Sequence, residues 1–334
     1  MRNRVYKVFL RVISSICLFA LLFSFSACNG ANSDENQTEG EKYHVITFNS
    51  NGGSLVESIK VRDNQYATRP EDPELDNYIF SRWERNGRAW LFESKRVTES
   101  MTLSALWVSA VDLFDLVPTD DGNALFISDF KKQASFTVLN VPSTINGKTV
   151  VGITENGFEN TNVDHANTII LPESIVYVGD STFKGSMDVI FDIRGTLLSI
   201  GESTFEDCRM LDKVKLGDGI EKIPFMCFSG CSALKNIDIP TTVTVIEENA
   251  FEECTSMISA VIPASLTSIE DSAFLGCKSF HTIFYKGTQE QFEQIDIADG
   301  NEAFEQANLY FYSEEKPTDN GNYWHYEDGS AMIW

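Results

Sequence analysis

The sequence predicts a mainly β protein in which a small sheet module precedes a solenoid of short stacked strands. Two observations predict this fold class. The segment IEENAFEEC of residues 246–254 returns as IEDSAFLGC at residues 269–277, 23 positions later. Upstream, apolar and polar residues alternate in YHVITF and MTLSALWV, as they do in half-buried strands. A repeat of this length marks a unit that buries its apolar side chains only when copies stack.

The N-terminus has the layout of a secretory signal over residues 1–27. A basic stretch, MRNRVYKVFLR, is followed by the apolar VISSICLFALLFSF and by small residues before Cys28. The closing FSAC resembles a bacterial lipobox, with Phe25 where leucine is usual, and this resemblance implies lipidation at Cys28. The alternative is an uncleaved anchor, because the apolar run is almost long enough to cross a bilayer. Both alternatives attach the protein to a membrane and expose it outward.

Residues 28–42 are predicted to be a disordered tether, because NGANSDENQTEGEK contains no large apolar side chain to bury. The whole chain has a formal net charge of -23 and a pI near 4.5. Lysine and arginine cluster only in the first eleven residues. Since nucleic-acid binding requires clustered basic side chains, this charge pattern argues against a nucleic-acid partner.

Residues 43–108 are predicted to form the first folded module. YHVITF is a strand, NSNGG a turn, SLVESIKV a second strand candidate and MTLSALWV the closing strand, while RPEDPELDNY is too rich in proline for a helix. The three tryptophans Trp83, Trp90 and Trp107 are predicted to lie in the core. The alternative is a saccharide-stacking platform, which would require exposed rings.

The motifs of this module resemble those of the Listeria-Bacteroides repeat, a module of bacterial surface proteins. ITFNSNGG, RPEDP, YIFSRWERNG and LSALW occur in the family's order, with Arg82 where glycine is usual. The resemblance covers residues 43–108. It implies a β-grasp-like fold that serves as a spacer or weak interaction module.

The repeat extends well beyond the two segments that first reveal it. An Ile or Val stands five positions before each of six phenylalanines spaced 22 to 25 residues apart: Phe158, Phe183, Phe205, Phe228, Phe251 and Phe274. In NIDIP, Ile237 and Ile239 would share one face of a short strand that Pro240 ends.

This pattern, with AF-x-x-C in the return segment, resembles the BspA-type leucine-rich repeats of bacterial surface proteins over about residues 136–285. The resemblance implies a leucine-rich-repeat solenoid with terminal caps over residues 109–312. Residues 313–334, with YWHYEDGSAMIW, resemble the aromatic tail that often follows such repeats.

Four cysteines lie three residues after a repeat phenylalanine: Cys208, Cys231, Cys254 and Cys277. Thr161 and Ser186 take the same position in earlier turns, and Cys227 takes a small-residue position just before Phe228. Exchange with such residues favours buried free thiols. One or two disulfides are the alternative, although stacked Cβ atoms about 4.8 Å apart are too distant for an unstrained bond.

No pattern in the chain predicts catalysis, a cofactor or a metal site. The four histidines show no ligand spacing, and neither a nucleophile motif nor a phosphate-binding loop occurs. The sequence therefore predicts a protein that is not an enzyme.

Function in a solenoid is expected on an extended face. Strand alternation places a set of side chains outward, the candidate binding residues Ile170, Lys213, Lys215, Asp238, Val261 and Phe284. The alternative is an ordinary solvated sheet face.

These features together predict a non-enzymatic lipoprotein, lipid-anchored at Cys28 in the bacterial cell envelope, that binds an extracellular protein or glycan in adhesion. Two alternatives remain open. Aromatic residues of the first module or of the tail could capture a glycan, or the protein could be a structural envelope spacer without a specific ligand.

Overall fold

The structure, a computed structural model, describes residues 41–131, 136, 138–158 and 168–334. Residues 42–334 form one compact unit. The predicted signal segment, the lipidation residue Cys28, all but the last two residues of the tether and Thr161 lie outside the described residues.

The module forms a five-stranded sheet in the order β2-β1-β7-β4-β5, and β3 pairs with β6 beside it. Strands β1 and β7 are parallel neighbours, which places the first and last strands of the module side by side. Its strands are β1 Tyr43–Asn49, β2 Ile59–Arg62, β3 Gln65–Tyr66, β4 Tyr78–Arg85, β5 Arg88–Ala89, β6 Arg96–Val97 and β7 Met101–Ser109.

The alternation predicted for β1 is seen in its burial, because every second side chain from His44 to Phe48 is buried. The second strand candidate is wrong in its first half, because β2 begins only at Ile59. The prediction of core tryptophans is confirmed for Trp83 and Trp90, which are buried. Trp107 is half-buried, and its indole Nε1 donates to the Ser50 carbonyl at 2.8 Å.

The solenoid begins directly after the module. Its elements in chain order are α1 Ala110–Leu113, β8 Phe114–Pro118, β9 Ala124–Phe130, β10 Val138–Asn140, β11 Thr144–Ile145, β12 Lys148–Ile153, β13 Thr168–Leu171, β14 Tyr177–Val178, β15 Ile190–Ile193, β16 Ser199–Ile200, β17 Lys222–Ile223, β18 Asn236–Asp238, β19 Val245–Ile246, β20 Ser259–Ile262, β21 Ser268–Ile269, β22 Thr282–Tyr285, α2 Gln289–Phe292, β23 Asp296–Ile297, α3 Glu302–Glu305, β24 Asn308–Tyr312, β25 Tyr323–Glu327 and β26 Ser330–Ile333.

Successive turns pair in parallel and build two ladders of strands. The first ladder contains β10-β13-β15 and then β18-β20-β22-β24, and the second contains β9-β12-β14-β16 and then β17-β19-β21-β23. Equivalent residues face each other, as Ile237, Ala260 and Ile283 do in β18, β20 and β22. The predicted mainly β fold with a leucine-rich-repeat solenoid is therefore confirmed.

Both ladders are interrupted at the turn that contains LDKVKL, residues 211–216. Leu216 of this turn forms a bridge with Leu197 and does not extend the ladder of β15. Gly219 lies so close to Leu198 that an added Cβ would stand 2.5 Å from the Leu198 carbonyl oxygen. Glycine therefore permits this turn to approach Leu198 closely.

The repeat phenylalanines form a single column through the solenoid core. Ring centroids of successive members lie 5.4 Å apart for Phe183 and Phe205, 5.7 Å for Phe205 and Phe228, and 5.4 Å for Phe228 and Phe251. Phe304 ends the column 5.1 Å from Phe274. Each turn thus buries its phenylalanine ring against the equivalent rings of the neighbouring turns.

Each turn also reverses direction through left-handed residues beside the phenylalanine. Glu253, two residues after Phe251, has a φ of 52°, whereas glycines with φ of 73° and 74° take this position at Gly230 and Gly276. A left-handed conformation costs a residue with a Cβ roughly 1–2 kcal/mol.

We expect Glu253→Gly to raise the free energy of unfolding by about 0.5–1 kcal/mol, because relief of this cost exceeds the added entropy of an unfolded glycine. The exposed contact of Glu253 with Lys278 at 3.7 Å contributes little. Urea denaturation measures the effect. The control Glu252→Gly, at a neighbouring residue without positive φ, should lower stability, and equal effects of the two variants would contradict the strain argument.

The five cysteines of the repeat region are free thiols and are all buried. Each thiol of the AF-x-x-C segments donates to the phenylalanine carbonyl of the preceding turn, as Cys231 does to Phe205 and Cys254 to Phe228, both at 3.1 Å. Ser186 takes the same position in an earlier turn, where its buried hydroxyl has no hydrogen-bond partner among the described residues, so the position selects for small size and not for a donor. The prediction of buried free thiols is confirmed.

Burial raises the pKa of Cys277 to about 12 and raises those of Cys227, Cys231 and Cys254 well above 9.0. Thiols in the unfolded chain ionise near pH 9, whereas the folded thiols remain protonated. The folded state therefore binds more protons above that pH, and its stability falls as the pH rises.

We expect the free energy of unfolding to decline above about pH 9, with each thiol contributing up to about 1.4 kcal/mol per pH unit. Urea titrations at several pH values measure this slope. Cys254→Ser keeps a hydrogen-bond donor but removes one thiol. The decline of the free energy of unfolding with pH should therefore be shallower by the contribution of one thiol. An identical slope in that variant would contradict the linkage.

Candidate interaction surface

The outer face of the first ladder carries the side chains that alternation directs away from the core. In β18 this alternation leaves Asn236 and Asp238 exposed on either side of buried Ile237. Ile170, in β13, is half-buried on the same face. The direction of each side chain therefore follows the sequence pattern, but its exposure to solvent changes along the solenoid.

Two candidate binding residues are not accessible, which corrects the prediction that they are exposed. Val261 of β20 and Phe284 of β22 retain only 6% and 7% of their surface exposed. Both point outward, but they form a small separate core with Trp324 of the tail. The C-terminal tail covers the outer face of these last turns.

The tail is a hairpin of β25 and β26, which pair in antiparallel fashion. Its two-residue turn consists of Asp328 and Gly329, both with positive φ, as a tight hairpin turn requires. β25 pairs with only the last two residues of β24, Phe311 and Tyr312. Beyond this short pairing the hairpin is free to fold over the sheet.

Trp324 anchors the hairpin on the face. Its ring centroid lies 5.3 Å from that of Phe284, and its Nε1 donates to the buried Tyr285 carbonyl at 3.0 Å. Packing and a satisfied indole N–H together let this large side chain be completely buried.

Tyr326 makes a second, polar contact with the face. Its hydroxyl donates to the Asp238 carboxylate at 2.6 Å, and Lys286 approaches the same carboxylate at 3.1 Å. Burial, reinforced by Asp238, raises the pKa of Tyr326, so the phenol remains protonated and able to donate. Asp238 is exposed, but it is already bound by the tail.

Lys213 and Lys215 remain exposed at the interrupted turn. Neither makes an ion pair within the described ranges. The acidic residues that flank them along the ladder are engaged elsewhere, Asp192 with Arg194 at 3.1 Å and Asp238 with Lys286 and Tyr326. Ile190 of β15 is exposed on the same side. We call Ile170, Ile190, Lys213 and Lys215 the open face.

Sequence reasoning identified both lysines but missed the docking of the tail. The signal was present in YWHYE, where Trp324 and Tyr326 are two residues apart and therefore share one face of a strand. Among the described residues, no three His, Cys, Asp or Glu side chains are arranged to hold a metal ion. None of the described helices is both long enough and apolar enough to cross a bilayer.

Family models match both parts of the chain. The BspA type Leucine rich repeat region matches in six copies over residues 128–224, 151–281 and 189–310. The Listeria-Bacteroides repeat domain matches residues 44–106.

Two curated relatives from Evansella cellulosilytica share short regions with the chain. One, named "Putative membrane protein", is 31% identical over 100 residues, which are 28% of this chain and 15% of that protein. The other, named "Putative Gly-rich membrane protein", is 35% identical over 67 residues, 19% of this chain and 8% of that protein. The chain thus spans a small part of the length of the curated relatives it matches.

Two solved structures of bacterial proteins align with part of the chain. A leucine rich repeat protein of T. pallidum aligns with a TM-score of 0.47 and 20% identity, over 56% of this chain and 84% of that one. A leucine rich cell surface protein of Faecalibacterium prausnitzii aligns with a TM-score of 0.38 and 21% identity, over 59% of this chain and 45% of that one.

Proposed function

The chain belongs to the BspA type leucine-rich-repeat family, and from that premise we propose that it is a non-enzymatic cell-surface lipoprotein that binds an extracellular macromolecule through the open face. Repeat proteins of this family are associated with bacterial surfaces, and the two relatives are named as membrane proteins. The signal segment and the lipobox-like FSAC support attachment to the membrane by a lipid at Cys28.

The observation that carries the proposal is that Lys213 and Lys215 on the open face make no ion pair among the described residues. In a chain with a net charge of -23, two lysines separated by one residue and without an acidic partner among the described residues are available to an external anion. Ile190, in the preceding turn, adds an exposed apolar side chain to the open face. In an interface, apolar side chains contribute affinity, and charged side chains fix how the partner is oriented.

Binding of a soluble form, residues 29–334, to an array of extracellular-matrix proteins, plasma proteins and glycans tests this proposal. We expect a ligand whose affinity falls about tenfold in Lys213→Ala/Lys215→Ala and declines with added salt. Lys60→Ala/Lys278→Ala is the control, because it removes the same charge from exposed lysines away from the open face. Equal losses in the two variants would show that general charge and not the open face is responsible.

Surface attachment has its own test on intact cells. The wild-type protein should be labelled by surface biotinylation and removed by protease shaving. Cys28→Ala should abolish incorporation of a fatty-acid label into the protein, because it removes the thiol that would carry the lipid. A wild-type protein that resists both treatments on intact cells would contradict the proposed location.

Trp334 favours glycan capture as a second candidate function. Its indole stacks on His325 with ring centroids 3.7 Å apart, and its Nε1 donates to the Ser313 carbonyl at 3.0 Å. The ring nevertheless keeps 38% of its surface exposed. A ring held in this way can stack on a saccharide without losing further rotamer freedom. Unchanged tryptophan fluorescence across a polysaccharide panel would count against this candidate.

A further inference from the structure

A cleft of about 600 Å³ lies between the module and the first turns of the solenoid. Residues 52–54 and 73–80 form its module wall, and residues 140–144 with Pro172 and Arg194 form its solenoid wall. Its volume lies within the range of small-molecule sites, which often occur between domains. None of the open-face residues lines this cleft, and neither do Trp324, Tyr326 or Trp334 of the tail.

The two walls are held in a fixed relation by contacts at the base of β4. The Asn77 carbonyl accepts from the Ala110 backbone N–H at 2.8 Å, and the Asn77 side-chain oxygen accepts from the Asn146 N–H. Ile79, two residues along, is buried in the solenoid core and not in the module core. Because both walls share these contacts, the cleft exists before any ligand binds.

The module wall is also internally braced. Ser54 and Glu74 exchange two hydrogen bonds, from the Ser54 N–H to the Glu74 carbonyl at 2.8 Å and from the Glu74 N–H to the Ser54 hydroxyl at 2.9 Å. At Gly53 a Cβ would stand 2.5 Å from the Trp107 ring, so only glycine fits at this position. This bracing lowers the ordering cost of binding in the cleft.

Polar side chains in the cleft have unused hydrogen-bonding capacity. Tyr78 is 45% exposed, and its hydroxyl makes no hydrogen bond to the described parts of the chain. The same holds for the Asn140 carboxamide and for the Ser143 and Thr144 hydroxyls, residues that line the solenoid wall of the same cleft. Together they present donors and acceptors beside one exposed aromatic ring.

We infer that this cleft binds a neutral saccharide. A sugar ring offers an apolar face to stack on Tyr78 and hydroxyls that both donate to and accept from Asn140, Ser143 and Thr144. An anionic ligand fits poorly, because Glu74 and Asp76 also line the cleft and Arg194 is paired with Asp192. This site is independent of the macromolecule bound by the open face.

Isothermal titration calorimetry of residues 29–334 tests the inference with cellotetraose, chitotetraose, maltotetraose, xylotetraose and mannotetraose as probes. We expect at least one to bind, and Tyr78→Ala and Asn140→Ala each to weaken that binding about tenfold. Tyr66→Ala is the matched control, because Tyr66 is a similarly exposed tyrosine of the module outside the cleft. Circular dichroism establishes that each variant is folded.

The inference is overturned if none of the five tetrasaccharides binds at millimolar concentration. It is also overturned if binding is unaffected by both Tyr78→Ala and Asn140→Ala, or if Tyr66→Ala weakens it equally. Lys213→Ala/Lys215→Ala should leave the tetrasaccharide affinity unchanged, and Trp334→Ala should do the same. These two variants separate the cleft from the open face and from Trp334, so the inference about the cleft and the proposals about those two sites can fail independently.

Discussion

Phe228→Ala is expected to lower the free energy of unfolding by about 3–5 kcal/mol, the usual loss when a large buried aromatic side chain is removed. Phe228 is completely buried between Phe205 and Phe251, with interplanar angles of 7° and 3°. The variant removes contacts with both neighbouring turns. Because a solenoid is stabilised mainly by contacts between adjacent turns, a cavity at the centre weakens the coupling of its two halves.

Urea denaturation followed by circular dichroism measures this loss. Leu275→Ala is the control, since Leu275 lies in the next but one turn and is exposed. The control should change stability by no more than about 0.5 kcal/mol. A loss below about 1 kcal/mol in Phe228→Ala would contradict the role assigned to the column.

Trp324→Ala is expected to detach the tail from the solenoid while the repeats stay folded. The substitution removes the side chain that packs on Val261 and Phe284 and the hydrogen bond to the Tyr285 carbonyl. The free energy that holds this one short hairpin on the solenoid should fall by about 3–5 kcal/mol. The main solenoid core is a separate cluster, so global unfolding should change far less.

Hydrogen exchange followed by mass spectrometry measures the detachment. We expect faster exchange across residues 323–333 and stronger binding of a hydrophobic dye, because Val261 and Phe284 become accessible. Trp334→Ala is the control, since it removes an exposed tryptophan from the same hairpin. Slow exchange of the hairpin in Trp324→Ala would mean that β25 is held by its pairing with β24 alone.

The repeat region was predictable because its information is local and recurs. Each turn places its phenylalanine at a fixed distance from an Ile or Val, as Phe251 follows Ile246, so the register can be read without coordinates. Buried thiols followed from the same comparison, because Cys254 occupies the position of Ser186. The interruption at Lys213 and Lys215 was not predictable, because the repeat spacing continues through it unchanged.

The candidate surface was predictable in orientation and not in accessibility. Alternation within a strand has a period of two, so the outward direction of Lys213, Val261 and Phe284 follows from sequence position. Whether an outward side chain meets solvent depends on other segments. Trp324 lies 40 residues after Phe284 in the sequence, and the alternation in YWHYE predicts which side chains share a face but not which surface they cover.

The sequence by itself determined that this protein is a stack of repeats behind a small sheet module, because periodic apolar residues can be buried only by stacking copies on one another. It also determined which side chains each strand turns away from the core. Only the tertiary structure decided that the tail covers Val261 and Phe284, that Lys213 and Lys215 stay open, and that a braced cleft separates the module from the first turns. These features arise from contacts between segments distant in the chain, and such contacts depend on three-dimensional shape that no local periodicity encodes.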